Sequence, residues 1–213
     1  MSKIKLKHSG GNAVSLNPPT DAPASADVAL KLPPTVGTAG QVLRNSSTPG
    51  TLEFGGLGGG ITEVDQWRLN GDVSSTQDIT SGIERNALTG SASPLGTGMS
   101  VSSGIFSFPS TGKWMVIVKA KFTIHDSDSV LLQTFVTINN SDYTVVCSCN
   151  EGLNDSGGGN RDGGSTSFYF LDVTDVSQVK VKFRAESLST GSAVRGESST
   201  ADTSFIFIRL GDT

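Results

Sequence analysis

The 213-residue chain carries a net charge of −4, and only 35% of its residues are hydrophobic. Residues 1–60 carry a net charge of +2, from five Lys/Arg and three Asp/Glu. Residues 61–213 carry a net charge of −6, from 11 Lys/Arg and 17 Asp/Glu. An acidic body lacks the clustered lysines and arginines that neutralise phosphates, which argues against nucleic acid as its ligand. No run of 18 apolar residues is present, so the composition also argues against membrane insertion.

Residues 1–60 differ in composition from the rest of the chain. They hold six of the eight prolines, ten glycines and one aromatic residue, Phe54. Such a segment buries little apolar surface, so we expect it to be extended and β-poor, or ordered only against partner chains. Short alternating runs at 26–32, 37–43 and 51–54 predict brief strands that one chain cannot cover alone. The glycine-rich residues 55–60 predict a hinge.

The N-terminus and the cysteines bear on where the chain is made. The first residues, MSKIKLKHSGG, lack the apolar stretch of a secretory signal, so we expect synthesis in a reducing cytosol. Cys147 and Cys149 share one face of a predicted strand, with Cα atoms about 6.6 Å apart and parallel side chains, which is poor disulfide geometry. Two reduced thiols that face the core are favoured over a disulfide or a metal site.

Residues 61–213 have the pattern of an all-β domain. Short runs of strand-forming residues alternate with turns such as Asn70-Gly71, and no helical period competes with them. Many short strands at this spacing predict an antiparallel jelly-roll sandwich. The predicted strands are 61–69, 76–80, 84–88, 104–108, 113–124, 129–138, 142–149, 165–173, 178–186 and 203–210.

Two predicted strands are apolar on both faces, in contrast to strand 113–124, where one side is apolar and Lys119 and Lys121 face water. These are the runs at 168–171 and 205–208. One face fills the core, and the other is a patch that monomers rarely expose. We therefore predict an oligomer interface, and the alternative is a central strand covered by a loop of the same chain. The predicted interface residues are Phe168, Tyr169, Phe170, Phe205, Phe207 and Ile208.

Several segments of the body resemble the jelly rolls of the tumour-necrosis-factor and complement globular-head families. The segment GIFSFPSTGKWMVIV at 104–118 is similar to their strand–turn–strand with an F-x-x-P-x-x-G turn. The segments 135–143, 178–183 and 203–210 resemble later strands of that fold in the same order. The resemblance covers roughly residues 61–213 and implies a homotrimer with the closing strand beside the trimer axis.

The N-terminal segment resembles the leaders of tailed-phage fibre and virion structural proteins, especially from phages of marine bacteria. The similar pieces are Asn17-Pro-Pro, the run at 27–33, the run at 37–43 and Leu52-Glu-Phe. The start of the body, ITEVDQWRL at 61–69, is similar to the start of the knobs that follow such leaders. This resemblance implies a place on the virion after synthesis in the host cytoplasm, with residues 1–60 bound to other virion proteins.

Two polar segments are candidate binding sites. Asp126 and Asp128 form a D-x-D loop whose oxygens suit calcium, although full coordination needs six to eight oxygens, so a solvated turn is the alternative. The glycine-rich stretch 154–164 lacks the ending of a phosphate-binding loop. It is either a surface loop without a ligand or a tip that contacts a partner. Its polar groups are Asp155, Asn160, Arg161 and Asp162.

No catalytic signature is present, so we expect no enzyme activity and no cofactor. His8 and His125 are the only histidines, and no nucleophile motif precedes a helix. The expected function is a trimeric tail fibre or spike whose knob binds the host surface, with a surface glycan or another virion protein as ligand. The alternatives are a capsid-decorating head fibre or cement protein, and a glycan-degrading enzyme carried on a fibre.

Overall fold

The computed structural model describes residues 4–7, 10, 13–16, 30–56, 60–91, 93–153 and 159–213. These residues form sixteen strands and no helix, and accordingly none of them belongs to a helix that could cross a membrane. The chain divides into two compact units, residues 1–59 and 60–213.

The described residues of the first unit form two antiparallel hairpins. Strands β1 (Ile4–Lys7) and β2 (Ala13–Leu16) form one, and strands β3 (Gln41–Asn45) and β4 (Leu52–Gly56) form the other. Strands β3 and β4 overlap the predicted strands 37–43 and 51–54. Gly55 and Gly56, assigned from the sequence to a hinge, are the end of β4.

The predicted strand at 26–32 lies only partly within the described residues. Residues 26–29 fall outside them, and within 30–32 only Lys31 pairs, through an isolated parallel bridge to Thr51. Leu30 and Leu32 are 60% and 72% exposed. The described part of this segment therefore leaves its apolar side chains uncovered.

The described residues of the second unit form twelve strands, and the longest are β10 and β13 with 14 residues each. The strands are β5 Val64–Leu69, β6 Gln77–Asp78, β7 Ile83–Arg85, β8 Ser100–Ser102, β9 Ile105–Ser107, β10 Gly112–His125, β11 Ser129–Thr137, β12 Thr144–Gly152, β13 Asn160–Val173, β14 Lys180–Glu186, β15 Ala193–Val194 and β16 Ser204–Gly211.

These strands form two antiparallel sheets. The front sheet has the order β13-β10-β16-β5-β7, with β15 paired to β10, and the back sheet has the order β12-β11-β14-β9-β8, with β6 paired to β14. Along the chain, β10 lies in the front sheet, β11 and β12 in the back sheet, β13 in front, β14 in back and β16 in front. This crossing pattern defines a jelly roll, and the predicted all-β jelly-roll sandwich is confirmed.

Alternation along the strands places the core between the sheets. On β10 the side chains from Trp114 to Ile124 at every second position are buried, as the sequence predicts. Phe106 of the back sheet sits among aromatic rings of both sheets, 5.5 Å from Trp67, 5.6 Å from Phe183 and 4.9 Å from Phe207 between centroids. Such ring pairs tie the two sheets together and hold the strand faces in fixed orientation.

A buried carboxylate fixes the long connection between β7 and β8. Asp65 of β5 is 1% exposed and accepts hydrogen bonds from Trp67 Nε1 at 2.9 Å, Ser93 Oγ at 2.7 Å and the Met99 backbone N–H at 2.8 Å. The Arg85 guanidinium donates to both carboxylate oxygens at 3.1–3.3 Å. Because Ser93 and Met99 lie in the connection, Asp65 holds that segment against β5.

Most predicted strands agree with the observed ones to within about three residues at each end, and the larger differences concern β8, β15 and β13. Strands β8 and β15 were missed because they have three and two residues, too few to show a period. Strand β13 begins at Asn160, five residues before the predicted start, because its backbone stays paired with β10 as far as His125 opposite Asn160.

Candidate functional site

The outer face of the front sheet carries two rows of apolar side chains. Strand register places Met115 of β10 between Phe170 of β13 and Ile208 of β16, and Ile208 lies opposite Val64 of β5. These four side chains form the first row. Since all four strands are hydrogen-bonded neighbours, the row crosses the sheet without a gap.

The second row lies two residues further along the strands. Ile117 pairs with Phe168 on one side and with Ile206 on the other, and Gln66 ends the row on β5. We call the two rows without Gln66 the apolar face. Its members are Val64, Met115, Ile117, Phe168, Phe170, Ile206 and Ile208.

The apolar face has two unlike parts. Phe168 and Phe170 lie on the edge strand β13, are each 60% exposed, and contact each other edge-to-face with ring centroids 5.8 Å apart. Together they form an aromatic rim. The five aliphatic members on β10, β16 and β5 are half-buried, so they form a less exposed centre beside the rim.

Charged residues limit the apolar face along β10. Lys113 forms a salt bridge with Asp172 of β13 on one side of it, and Lys119 and Lys121 follow on the other. The outer face of the back sheet is mixed, because Lys182 there forms an ion pair with Asp78 at 2.8 Å and lies over the ring of Phe135. Of the two outer faces, the front one is the apolar one.

The structure corrects part of the predicted interface. Phe205 and Phe207 are fully buried in the sandwich core, where Phe205 stacks on Phe183 at 4.0 Å, so neither ring can reach a partner. Tyr169 also faces inward and packs against the core. Phe168, Phe170 and Ile208 lie on the outer face.

Four members of the apolar face were not identified from the sequence: Val64, Met115, Ile117 and Ile206. A signal for two of them was present, since Met115 and Ile117 alternate with the buried residues of β10. The sequence interpretation assigned that side to water because of the lysines that follow. No local pattern distinguishes the outward-facing Ile206 from its neighbours Phe205 and Phe207 on β16, because the run is apolar at every position.

The predicted partner-binding loop is partly a strand. Asp155 lies outside the described residues, whereas Asn160, Arg161 and Asp162 belong to the beginning of β13 and are exposed. Asp162 accepts a hydrogen bond from Thr123 Oγ1 of β10 at 2.9 Å. This corrects the assignment of these three residues to a glycine-rich loop.

The Asp126 and Asp128 carboxylates are both engaged with protein groups. Asp128 accepts from the Ser189 hydroxyl at 2.8 Å and the Ser129 backbone N–H at 2.8 Å. Burial alone would raise the pKa of Asp128, but hydrogen bonds from nearby serines outweigh it and lower the pKa. Asp126 lies 3.0 Å from His125 Nδ1. Within the described ranges, no three His, Cys, Asp or Glu side chains are grouped so as to hold a metal ion.

Cys147 and Cys149 are free thiols on β12. Cys149 is 1% exposed, and its Sγ lies 3.2 Å from the Val118 carbonyl oxygen, so it faces the core as predicted. Burial raises the pKa of the Cys149 thiol, which disfavours the reactive thiolate.

Comparisons with known proteins give structural likeness only. No model of a known protein family matches the chain, and no curated protein sequence matches it. Among solved structures, the chain is similar to Eiger TNF from S. frugiperda, with 15% identity and a TM-score of 0.48 over 70% of this chain and 93% of that one. It is also similar to murine APRIL at pH 5.0, with 11% identity and a TM-score of 0.47 over 70% and 98%. The jelly-roll assignment rests on the strand order of the chain itself.

Proposed function

We propose that this chain is a homotrimeric structural protein of a tailed-phage virion. In this proposal residues 61–213 form a knob that binds the host surface, and residues 1–60 attach the knob to other virion proteins. The apolar face is the observation that carries the assembly. A contiguous apolar patch spanning four strands is uncommon on monomers and is typical of a surface that a partner covers.

The two parts of the apolar face are complementary, because the exposed aromatic rim of one copy can pack onto the half-buried aliphatic centre of another. Such a contact fits a two-fold dimer, in which each rim meets the other centre, and it also fits a ring, in which each copy contacts the next. Among rings, the trimer is the one that the resemblance of residues 61–213 to the tumour-necrosis-factor and complement heads implies.

The virion role is supported by the N-terminal segment. Its resemblance to phage leaders and the exposure of Leu32 and Val36 both fit a segment that is covered by other chains. A trimeric knob presents three equal sites, and several knobs on one particle multiply weak affinities without any tighter single contact. A capsid-decorating or cement protein is the second candidate, because the same leader and knob could serve the shell.

Light scattering coupled to size exclusion tests the assembly on the full chain. We expect wild type to elute with three times the 22.1 kDa mass of one chain. Phe168→Ser combined with Phe170→Ser removes the aromatic rim and should give a monomer. Ile138→Ser is the matched control, because Ile138 is 74% exposed and lies beyond the end of β11 in the back sheet. A wild-type monomer, or a trimer that survives loss of the rim, contradicts the proposal.

The role on the particle needs a separate experiment. Electron microscopy of phage particles labelled with an antibody against residues 61–213 should place the label on the tail or a fibre tip. Label on the capsid faces would favour the decoration protein instead, and purified particles without the protein would exclude both. Binding of wild-type trimer to host cells, compared with the Phe168→Ser/Phe170→Ser variant, then tests attachment by multivalency.

A further inference from the structure

A depression of about 290 Å³ lies on the front sheet just beyond the apolar face. Its basic residues, Lys119 and Lys121, continue the outward-facing positions of β10 after Ile117. Thr166 of β13 lies opposite Lys119 in the strand register, and Gly164 lies opposite Lys121. The volume is at the lower end of the ~300–1,000 Å³ of small-molecule sites, so it suits a single small chemical unit.

The floor of the depression is open because of Gly164. A Cβ added at this residue would approach the Ala120 carbonyl oxygen to 2.8 Å, so the β13 backbone lies close to β10 here. Without a side chain at Gly164, the position beside Lys121 on the outer face stays empty. A ligand can therefore reach the lysine row from the sheet edge.

The charges around the depression are unequal. Lys121 Nζ pairs with Asp202 Oδ2 at 3.0 Å, and Lys119 Nζ donates to the Ala201 carbonyl oxygen at 3.2 Å. Each ammonium has three protons to donate, so each keeps donors beyond these contacts. The hydrogen bond from Lys121 is the main cause that lowers the pKa of Asp202, which therefore stays ionised. The three charged side chains in the lining, Lys119, Lys121 and Asp202, thus carry a net charge of +1.

We infer that this depression binds one carboxylate-bearing sugar unit of an acidic saccharide. The Lys119 ammonium faces the sugar carboxylate, and Asp202 and the Thr166 hydroxyl accept hydrogen bonds from sugar hydroxyls. An ionised Asp202 repels the sugar carboxylate and phosphate alike. A sugar acid offsets this repulsion because its several hydroxyl groups donate to Asp202 and to the Thr166 hydroxyl. The site goes beyond the proposed assembly, since all its lining residues belong to one chain.

Saturation-transfer NMR on the full chain tests this site, with sodium glucuronate as probe and glucose and inorganic phosphate as comparisons. We expect transfer to glucuronate that weakens with added salt, and no transfer to glucose. Lys119→Gln should weaken glucuronate binding about tenfold or more, and Thr166→Val should weaken it about threefold to tenfold, as expected for a charged and a neutral hydrogen bond. Lys113→Gln is the matched control on the same face of β10 and should change it less than twofold.

Three results would overturn the inference: no transfer to glucuronate, equal transfer to glucose, or equal weakening by Lys113→Gln. A phosphate response, measured by phosphorus NMR line broadening, without a glucuronate response overturns the saccharide assignment as well. Size exclusion of each variant shows whether a loss of glucuronate binding is accompanied by a change of oligomeric state. A monomeric wild type that still binds glucuronate supports the site while the proposed trimer fails.

Discussion

The Asp65 carboxylate offers the sharpest test of how the sandwich is held together. Its two oxygens accept hydrogen bonds from Arg85, Trp67, Ser93 and the Met99 backbone, and the side chain is almost fully buried. Asp65→Asn keeps the shape but removes the charge and turns one acceptor into a donor. That donor then faces groups that are donors themselves, so at least one buried partner is left unsatisfied.

The size of the effect follows from the partners. Removing one member of a buried ion pair costs about 3–5 kcal/mol. Because the Arg85 side chain is 37% exposed and can regain water, we expect the lower end, about 3 kcal/mol. For a domain of about 150 residues this corresponds to a fall in Tm of roughly 6–12 °C.

The pH dependence of Asp65 gives an independent check. Burial alone would raise its pKa, but the hydrogen bonds from Arg85, Ser93, Trp67 and Met99 outweigh burial and hold the pKa below 3.8. The stabilisation is therefore complete above the unfolded-state value and is lost as the pH falls through the folded-state pKa. The stability difference between wild type and Asp65→Asn should be constant near neutral pH and shrink below about pH 3.8.

Thermal and urea unfolding, followed by tryptophan fluorescence at one fixed protein concentration, measure both effects. Asp172→Asn is the control, since Asp172 pairs with Lys113 at an exposed position and should cost less than about 1 kcal/mol. If Asp65→Asn stays within about 1 kcal/mol of wild type, the assignment of Asp65 as the anchor of the β7–β8 connection is wrong.

Two further predictions concern single positions. Gly104→Ala should destabilise the fold by at least about 1–2 kcal/mol, because Gly104 has φ of +77° and an added Cβ would collide with the Ile79 carbonyl oxygen. Gly211→Ala, where an added Cβ meets nothing within 4 Å, is the control in the same thermal assay. For the thiols, a disulfide reagent at pH 8 should modify Cys149 only on unfolding, and fast labelling of both cysteines in the folded protein would contradict its burial.

Strict alternation let the sequence predict much of the core. On β10 every second residue from Trp114 is apolar, and on β14 Val181, Phe183 and Ala185 repeat the pattern, and all of these are buried. A period of two fixes which side of a strand faces the core, because a shift by one residue would expose the whole set. The all-β class and the sandwich followed from this local information.

Runs that are apolar at every position carry no such information. Along 205–208, a two-fold period fits either set of side chains, and the sequence interpretation placed Phe205 and Phe207 at an interface. Their burial is decided by pairing with β10, where Phe205 lies opposite Val118 and Ile206 opposite Ile117. This partner is almost ninety residues away in the chain, so no local pattern shows it.

Backbone pairing explains the early start of β13. Residues 160–164 are polar residues and glycines, a composition that predicts a loop. These residues nevertheless pair with β10 in continuous register. The pairing satisfies backbone donors and acceptors whatever the side chains are. A strand end that is stabilised by backbone pairing alone therefore has no alternating apolar pattern from which it could be predicted.

The position of the apolar face between charges has a consequence for the proposed trimer. Along β10 only Met115 and Ile117 lie between Lys113 and Lys119 on the outer side, so the apolar face is two rows deep. A neighbouring subunit displaced by two residues along the strands would bring a lysine ammonium against apolar side chains and remove it from water. Removing an ammonium from water costs several kcal/mol even when it keeps a protein partner, as Lys113 does with Asp172, and this cost offsets the gain from one row of apolar contacts. The lysines thus favour one register of the contact over registers displaced along the strands.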